Sequence, residues 1–287
     1  MHSFRMIFLE ALLIAGVLSG LFSSSVVAQN CKCDTNIYCC SQYGYCGNSY
    51  DYCGPGCQAG PCWVPCEGNG TLTVTDLVTQ DFWDGIVSQA ADNCPGKGFY
   101  TRSAFLEALS SYPEFGTKCT DDDRKREIAA YFAHVTHETG HFCYIEERTG
   151  HQNNYCQVSE QYSCNPNKEY FGRGPLQLSW NYNYIDCGKA HNFDGLNDPD
   201  IVGRDPIISF KSSLWFWVRK GVHYVILDPD QGFGATIKII NGGYECNGQN
   251  TDQMMARVGY YKEYCAMFGV SPGNHLTCVT SNLAVSK

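Results

Sequence analysis

Residues 120–140 read TDDDRKREIAAYFAHVTHETG, and this stretch decides how most of the chain folds. Thr120 followed by three aspartates resembles a capping box, a pattern that begins helices. Apolar residues such as Ile128 and Phe132 then recur at the spacing of one helix face. Gly140 is a natural stop, because glycine adopts the left-handed conformation easily. The stretch therefore predicts a long helix that begins after Thr120 and ends at Gly140.

The sequence on either side continues the helical pattern. One helix is predicted to begin at residue 75 or 76 and run to about residue 90, and another follows Thr101. Asp205 and Pro206 are typical of a helix cap and its first turn, and the last helix is expected at 251–269. Alternating strand patterns are scarce, so we predict a mainly α fold for this part of the chain.

The end of the long helix carries a possible zinc motif. His137-Glu138-Thr139-Gly140-His141 matches H-E-x-x-H, in which two histidines on one helix face bind zinc and the glutamate is the general base. The motif needs unbroken helix through both histidines, and Gly140 between them costs about 1 kcal/mol. Nothing in the sequence singles out a third ligand. A zinc metalloprotease remains an alternative.

Glu138 and Glu147 are a candidate pair of catalytic carboxylates. Hydrolysis of a glycosidic bond needs one carboxyl group to protonate the leaving oxygen and one carboxylate to activate water. On an unbroken helix the two would lie about 13 Å apart on opposite faces. A break at Gly140 is therefore needed for them to face one cleft. Because most glutamates lie at the surface, two solvated side chains are the alternative.

Residues 172–184 read GRGPLQLSWNYNY and interleave amide, hydroxyl and aromatic side chains. This mixture suits a polar, uncharged ligand such as a sugar, which binds through amide hydrogen bonds and aromatic stacking. The alternative is a polar loop that covers a core.

Residues 29–62 contain eight cysteines. So short a segment cannot bury enough apolar surface, so disulfides must hold it; zinc is the alternative use of dense cysteine. Tyr43, Tyr45 and Tyr52 have little core to enter, and exposed rings on a rigid frame can stack on a sugar. Ser41 can add a hydroxyl hydrogen bond. Otherwise these tyrosines simply pack on the disulfides.

The overall composition indicates which classes of binding partner and which cellular compartment suit the chain. The chain has 287 residues, with 20 Lys and Arg against 29 Asp and Glu, a formal net charge of −9. An acidic chain without a basic cluster indicates no nucleic-acid and no membrane partner. Eighteen cysteines indicate an oxidising compartment. Residues 1–28, with an apolar run and a small-residue cleavage pattern, are predicted to be a secretory signal peptide, with a membrane anchor as the alternative.

The segment CCSQYGYCG at residues 39–47 makes residues 29–63 resemble a hevein-type chitin-binding domain. The resemblance implies N-acetylglucosamine binding by four side chains: Ser41, Tyr43, Tyr45 and Tyr52. It also implies four disulfides: Cys31–Cys40, Cys33–Cys46, Cys39–Cys53 and Cys57–Cys62.

After a linker at residues 64–75, residues 76–278 resemble the catalytic domain of the family 19 glycoside hydrolases, and the whole chain is similar to the class IV plant chitinases. The match runs through AHVTHETGHFCYIEE, NPNKEYFGRGPLQLSWNYNY and GFGATIKIINGGYECNG. The resemblance implies an α-helical, lysozyme-like domain with the cleft between two lobes, and no metal or cofactor.

The same resemblance implies roles for individual residues. The catalytic set is Glu138 as general acid, Glu147 as general base and Ser179, which helps to hold the water. The substrate-binding set is Gln177, Tyr182, Asn183 and Asn241, with His137, Glu245 and Arg257 supporting the acid–base pair.

Together these roles imply a secreted, monomeric endochitinase that cuts β-1,4 linkages of N-acetylglucosamine polymers by inversion, in defence against fungi. Its partners would be chitin and chitooligosaccharides. Residues 279–287 extend past the expected end and would allow sorting to the vacuole. A chitin-binding lectin with an inactive hydrolase domain is the rival from a different class.

Some cysteines and one loop depart from the family pattern. Residues 148–151 read Arg-Thr-Gly-His where the family usually has Ile-Asn-Gly-Ala, next to the implied base. The resemblance implies three disulfides in the catalytic part: Cys94–Cys143, Cys156–Cys164 and Cys246–Cys278. Cys66, Cys119 and Cys187 are additional, and we expect Cys119 to bond to Cys187. Cys265 on an apolar helix row is expected to be a buried free thiol.

Overall fold

The computed structural model of the chain describes residues 31–34, 38–47, 50–54, 56–60, 62, 68–117 and 119–278; the predicted signal peptide and the tail at 279–287 lie outside them. Its strands are β1 (Cys39–Cys40) and β2 (Cys46–Gly47). Its α-helices are α1 (Tyr50–Cys53), α2 (Val74–Leu77), α3 (Gln80–Val87), α4 (Arg102–Leu109), α5 (Asp121–Thr139), α6 (Asn181–His191), α7 (Ile201–Arg204), α8 (Pro206–Arg219), α9 (Val222–Leu227), α10 (Gly232–Glu245) and α11 (Thr251–Met267). The mainly α fold with a small disulfide-rich module is confirmed. Within the described part, no helix is long and apolar enough to cross a membrane.

The small module is held by disulfides rather than by an apolar core. β1 pairs antiparallel with β2, with Cys40 opposite Cys46, and α1 follows. The cystines of the module join the pairs that the resemblance implies: Cys31–Cys40, Cys33–Cys46, Cys39–Cys53 and Cys57–Cys62. A frame of this kind leaves Tyr43 and Tyr45 at the surface, 73% and 69% exposed.

Helix α5 is the centre of the larger part. Thr120 accepts the backbone N–H of Asp123 while the Asp123 carboxylate accepts that of Thr120, so the predicted capping box is present. At the other end, Gly140 has a φ of 60° and forms the predicted stop. Every residue of 127–136 is buried, because other helices surround this half of α5, with α11 packed along it. The helices predicted after Thr101 and Asp205 and near residue 251 are confirmed as α4, α8 and α11.

Aromatic side chains fill the space between α5 and its neighbours. Phe132 meets Phe82 of α3 edge-on with 5.2 Å between ring centroids, and Phe105 of α4 at 5.3 Å. Trp83 stacks on Phe142 at 4.7 Å. Such pairs contribute about 0.5–1.5 kcal/mol each beyond the burial of their area. They fix α3, α4 and the segment that follows α5 relative to one another.

Residues 75–90 do not form the single helix that was predicted. They fall in α2 and α3, which are separated at Val78, where a ψ of 67° is not helical. The hydroxyl of Thr79 accepts the backbone N–H of Phe82 at 3.1 Å and so begins a new helix. Val78, Phe82 and Ile86 are buried all the same. The apolar spacing therefore indicated the inward face correctly but not the break.

The cysteines of the larger part correct one prediction. Three disulfides join the implied pairs: Cys94–Cys143, Cys156–Cys164 and Cys246–Cys278. Cys119 is disulfide-bonded, but Cys187 is a free thiol, so the predicted bond between them is wrong. Cys187 lies on the inward face of α6 with no exposed surface, and burial raises the pKa of its thiol. Cys265 is a buried free thiol, as predicted, and Cys66 lies outside the described residues.

Candidate active site

The chain turns sharply after α5, and this turn brings two glutamates to one cleft. Gly140, His141 and Phe142 have consecutive left-handed φ values of 60°, 65° and 62°. L-residues rarely adopt this conformation, and three in a row redirect the chain immediately after the helix. Glu138 in the last turn of α5 and Glu147 beyond the turn therefore line the same cleft, whose volume is about 910 Å³. The break that the carboxylate pair requires is present.

Local hydrogen bonds hold this turn. The N–H of His141 donates to the carbonyl of Thr136 at 2.9 Å. The hydroxyl of Thr139 accepts the N–H of Phe142 at 2.8 Å and donates to the carbonyl of Val135 at 2.6 Å. These bonds satisfy backbone groups that a helix end leaves unpaired. These hydrogen bonds therefore stabilise the conformation of the turn.

Glu138 is held by a buried arginine. Nη2 of Arg257 donates to Oε1 of Glu138 and, at 2.7 Å, to Oε1 of Glu245. Asn241, whose φ of −145° interrupts α10, donates from Nδ2 to Glu245 at 2.9 Å. Burial acts against the charge of Glu245, but its hydrogen bonds to Arg257 and the guanidinium charge hold its pKa below the ordinary value. One guanidinium thus balances two carboxylates at this end of the cleft.

His137 precedes Glu138 on α5 and is neutral at ordinary pH. Burial, followed by the positive charge of Arg257, lowers the pKa of His137 to about 4. A neutral imidazole adds no second positive charge beside Arg257. The electrostatics around Glu138 therefore depend on the arginine.

Glu147 has different surroundings. Its Oε1 accepts the hydroxyl of Tyr155 at 3.0 Å, and its Oε2 accepts the N–H of Gly172 at 3.2 Å. Burial and the neighbouring Glu147 raise the pKa of Tyr155 to about 12, so the tyrosine keeps the proton that it donates. Across the described residues, no ion pair engages Glu147. Neutral donors orient this carboxylate, and its remaining lone pairs can accept further hydrogen bonds.

A buried arginine fixes the wall behind Glu147. Arg173, 2% exposed, donates to Glu146 at 2.9 Å and to Asp200 at 2.8 Å. Its backbone bridges to Glu146 on one side and to Leu178 on the other. The polar segment at 172–179 therefore lies against the segment that carries Glu147.

The polar segment folds through strained backbone and internal hydrogen bonds. Gln177 and Trp180 have positive φ values of 49° and 77°. The hydroxyl of Ser179 donates to the carbonyl of Gln177 at 2.9 Å, and Asn183 Nδ2 donates to the carbonyl of Ser179 at 2.9 Å. Asn183 Oδ1 is buried and has no hydrogen-bond partner among the described residues. Asn183 is therefore fixed through its Nδ2 group, not through its oxygen.

The structure sorts the implied site residues into two groups. Seven of them line the cleft: Glu138, Glu147, Gln177, Ser179, Tyr182, Asn183 and Asn241. Three are not part of this lining: His137, Glu245 and Arg257. Sequence reasoning missed Tyr155, which donates to Glu147, because Tyr155 belongs to no motif. It also gave no role to Arg173, although this residue lies in the segment 172–184, because its partners Glu146 and Asp200 lie elsewhere in the sequence. No signal in the sequence singles out Tyr155.

The H-E-x-x-H motif does not adopt the geometry of a zinc site. Helix α5 ends at Thr139, between the two histidines, so His137 and His141 do not share one face of a continuous helix. The glutamate that would serve as base is bound by Arg257 instead. Among the described residues, no cluster of three metal-ligating side chains is present.

The small module places its aromatic residues as a surface group. Ser41 is 3% exposed, and its hydroxyl accepts the N–H groups of Tyr43 at 3.3 Å and Tyr45 at 3.2 Å. Ser41 therefore shapes the turn that presents these two rings. Tyr52 is half-buried and packs on Gly47, where a Cβ atom would lie 2.3 Å from its ring. Rings held by cystines and backbone are pre-ordered for stacking.

Comparison with known proteins identifies both parts of the chain. The profile of glycoside hydrolase family 19, described as chitinase class I, matches residues 77–278, and the profile described as chitin recognition protein matches residues 25–62. An acidic endochitinase of Dioscorea japonica is 84% identical over 250 residues, which cover 87% of this chain and 100% of that protein. An endochitinase of Arabidopsis thaliana is 58% identical, over 90% of this chain and 92% of its own.

A solved structure of a chitinase is also similar to this chain. The crystal structure of a family GH19, class IV chitinase from Zea mays superposes with a TM-score of 0.66 at 54% identity, over 70% of this chain and 98% of that one. The chain therefore belongs to the family 19 glycoside hydrolases, the chitinases, and carries a chitin-recognition module.

Proposed function

We propose that this chitinase is a secreted endochitinase that cuts β-1,4 linkages between N-acetylglucosamine units by inversion, with Glu138 as general acid and Glu147 as general base. Relatives named endochitinases at 84% and 58% identity support cleavage within the chain. The predicted signal peptide at 1–28 and the disulfides support secretion. Because chitin is a polymer of fungal walls, its hydrolysis supports a role in defence against fungi.

The observation that carries this mechanism is the contrast between the two carboxylates of one cleft. Glu138 contacts the guanidinium of Arg257, which can balance the negative charge left once Glu138 has given up a proton. The Glu147 carboxylate accepts side-chain and backbone hydrogen bonds only from the neutral donors of Tyr155 and Gly172 among the described residues. A guanidinium stabilises the carboxylate that forms when the acid gives up its proton, whereas a base needs free lone pairs to accept a proton from water. The surroundings therefore support the two different roles.

The reaction then needs few groups. Glu138 donates its proton to the glycosidic oxygen as the bond from C1 to that oxygen breaks. Glu147 takes a proton from a water molecule, which attacks C1 from the opposite face of the sugar. Inversion requires the two carboxyl groups to be about 6.5–9.5 Å apart, so that the water fits between them. Ser179, whose own proton is donated to the carbonyl of Gln177, offers its oxygen lone pairs to that water.

The polar lining of the cleft suits an acetylated sugar. Gln177, Tyr182, Asn183 and Asn241 supply amides and an aromatic ring without a net charge, which suits neutral N-acetyl and hydroxyl groups. The exposed Tyr43 and Tyr45 of the module would hold the enzyme on solid chitin.

Proton NMR of early products from chitohexaose tests this proposal. The α-anomer should form first from the β-linked substrate, and internal cleavage should give dimers, trimers and tetramers. Glu138→Gln and Glu147→Gln should each lose nearly all turnover, while Glu160→Gln, an exposed glutamate outside the cleft lining, should match the parent. Formation of the β-anomer first would exclude inversion.

A further inference from the structure

A second histidine, outside the cleft lining, contacts the arginine that holds the acid. His134 lies on α5 one turn before Glu138 and has no exposed surface. Its Nδ1 is 3.1 Å from Nη1 of Arg257, and its Nε2 is 2.7 Å from Oγ1 of Thr236 on α10. Its ring stacks on Phe233 with 4.9 Å between ring centroids. Both nitrogens are therefore engaged and the ring cannot rotate freely.

The direction of each hydrogen bond follows from the donors. A guanidinium has no acceptor, so Nδ1 of His134 must accept from Arg257 and carries no proton. Nε2 then carries the proton and donates it to Thr236. The Thr236 hydroxyl donates in turn to the carbonyl of Phe233 at 2.6 Å. All the hydrogen bonds from Arg257 through His134 and Thr236 to the Phe233 carbonyl therefore run in one direction. This arrangement requires a neutral imidazole.

The contact with His134 fixes the plane of the guanidinium. Nε and Nη2 of Arg257 donate to Glu245, at 2.9 Å and 2.7 Å for their shorter contacts, and Nη1 donates to His134. Because Glu245 and His134 hold all three nitrogens in this way, the second N–H of Nη2 is directed at Glu138. Because the guanidinium is planar and rigid, loss of the Nη1 partner lets it tilt about its contacts with Glu245 and changes where Nη2 points.

We propose that His134 is a positioning residue of the acid: as a neutral Nε2–H tautomer held by Thr236 and Phe233, it aims Arg257 at Glu138. The inference rests on the proposed function, since it assigns Glu138 as the acid. His134 does not line the cleft, so it acts on the chemical step and not on sugar binding. Burial, with the charge of Arg257 acting in the same direction, lowers the pKa of His134 well below its ordinary value and keeps the ring neutral.

Replacement of His134 separates positioning from packing. His134→Leu should lower kcat on chitohexaose about 10–100-fold, the cost of a misplaced catalytic group, with KM within about twofold of the parent. His134→Gln should restore most of kcat, because its amide oxygen can accept from Arg257 while its NH₂ group donates to Thr236. Tyr131→Phe is the matched control. It removes a buried hydrogen bond to Ser213 at 2.6 Å from the same helix without touching Arg257, and kcat should be unchanged.

Three results would overturn the inference: parental kcat in His134→Leu, an equal loss in Tyr131→Phe, or no gain in His134→Gln over His134→Leu. Nitrogen-15 NMR of the labelled parent adds a test that needs no activity and no folded variant. We expect a proton on Nε2 and none on Nδ1 of His134 between about pH 5 and pH 8. A proton on Nδ1 would contradict the assignment. A parent that does not hydrolyse chitohexaose would instead refute the proposed function and leave the tautomer measurement to judge the hydrogen-bond chain.

Discussion

Glu138 and Glu147 are the same side chain with different neighbours, and the neighbours decide their chemistry. The guanidinium at Glu138 comes from Arg257, which is 119 residues away in the chain. The hydroxyl at Glu147 comes from Tyr155 in an irregular segment. The motif around Glu138 predicted that this residue mattered, but a contact made across the whole fold has no local pattern. Residue identities were therefore easier to predict than their partners.

A histidine outside the cleft should contribute to the pH dependence of stability. Burial, followed by the charge of Lys211, lowers the pKa of His191 from its ordinary value of 6.5 to about 4, beside the hydroxyl of Tyr112. Between these two pH values the unfolded chain binds more protons than the folded one, so the free energy of unfolding should fall as the pH drops. His191→Gln should flatten this dependence in urea unfolding at about pH 7, 5.5 and 4.5.

His275→Gln, at an exposed histidine, is the control and should follow the parent at each pH. If His191→Gln and the parent lose the same free energy of unfolding from pH 7 to pH 4.5, the buried neutral state of His191 is wrong.

Helix α5 shows which elements can be predicted from sequence. Both of its ends are marked by local chemistry, the capping box at Thr120 and the left-handed Gly140, and both predictions hold. The helix predicted at 75–90 divides in two because Thr79 caps a second helix inside an unbroken apolar period. The apolar period indicates only which face of the helix is buried. A hydroxyl can begin a helix or point to solvent, and the rest of the fold decides which.

The turn after α5 should be necessary for activity beyond its effect on stability. Gly140→Ala places a side chain at a φ of 60°, which costs about 1–2 kcal/mol and favours continuation of the helix. Gly269→Ala is the matched control, because Gly269 ends α11 with a φ of 64° and open space around it. Both variants should lose similar free energy of unfolding in urea, but only Gly140→Ala should also lower kcat on chitohexaose, by about tenfold or more.

Equal kcat values for the two glycine variants in their folded states would show that the turn does not set the positions of Glu138 and Glu147.

The whole molecule combines a helical catalytic part with a module whose described residues are joined by four disulfides. The family resemblance implied the fold and seven disulfide pairs that the structure contains. Outside that resemblance, the expected bond between Cys119 and Cys187 was wrong, because spacing along the chain does not tell which thiols meet. Cysteine pairing depends on the final positions of whole helices.

The module should act on solid substrate only. Tyr45→Ala removes an exposed ring, so retention on chitin beads should fall while hydrolysis of short soluble oligomers stays nearly unchanged, since tethering raises the local concentration only on a solid. Tyr244→Ala, at an exposed tyrosine of the catalytic part, is the control and should be retained like the parent. Equal retention of all three proteins would remove Tyr45 from the chitin-binding surface.

The burial of residues 127–136 of α5 has a consequence for how the larger part of the chain opens. Amide hydrogens of a helix surrounded by others exchange with solvent only when the whole domain opens. The amides of residues 127–136 should therefore exchange with deuterium last, at a rate that gives the global free energy of unfolding. Glu138 lies two residues beyond this stretch on the same helix, so unfolding of the core also displaces it. Heating should consequently abolish activity and unfold the domain in a single transition.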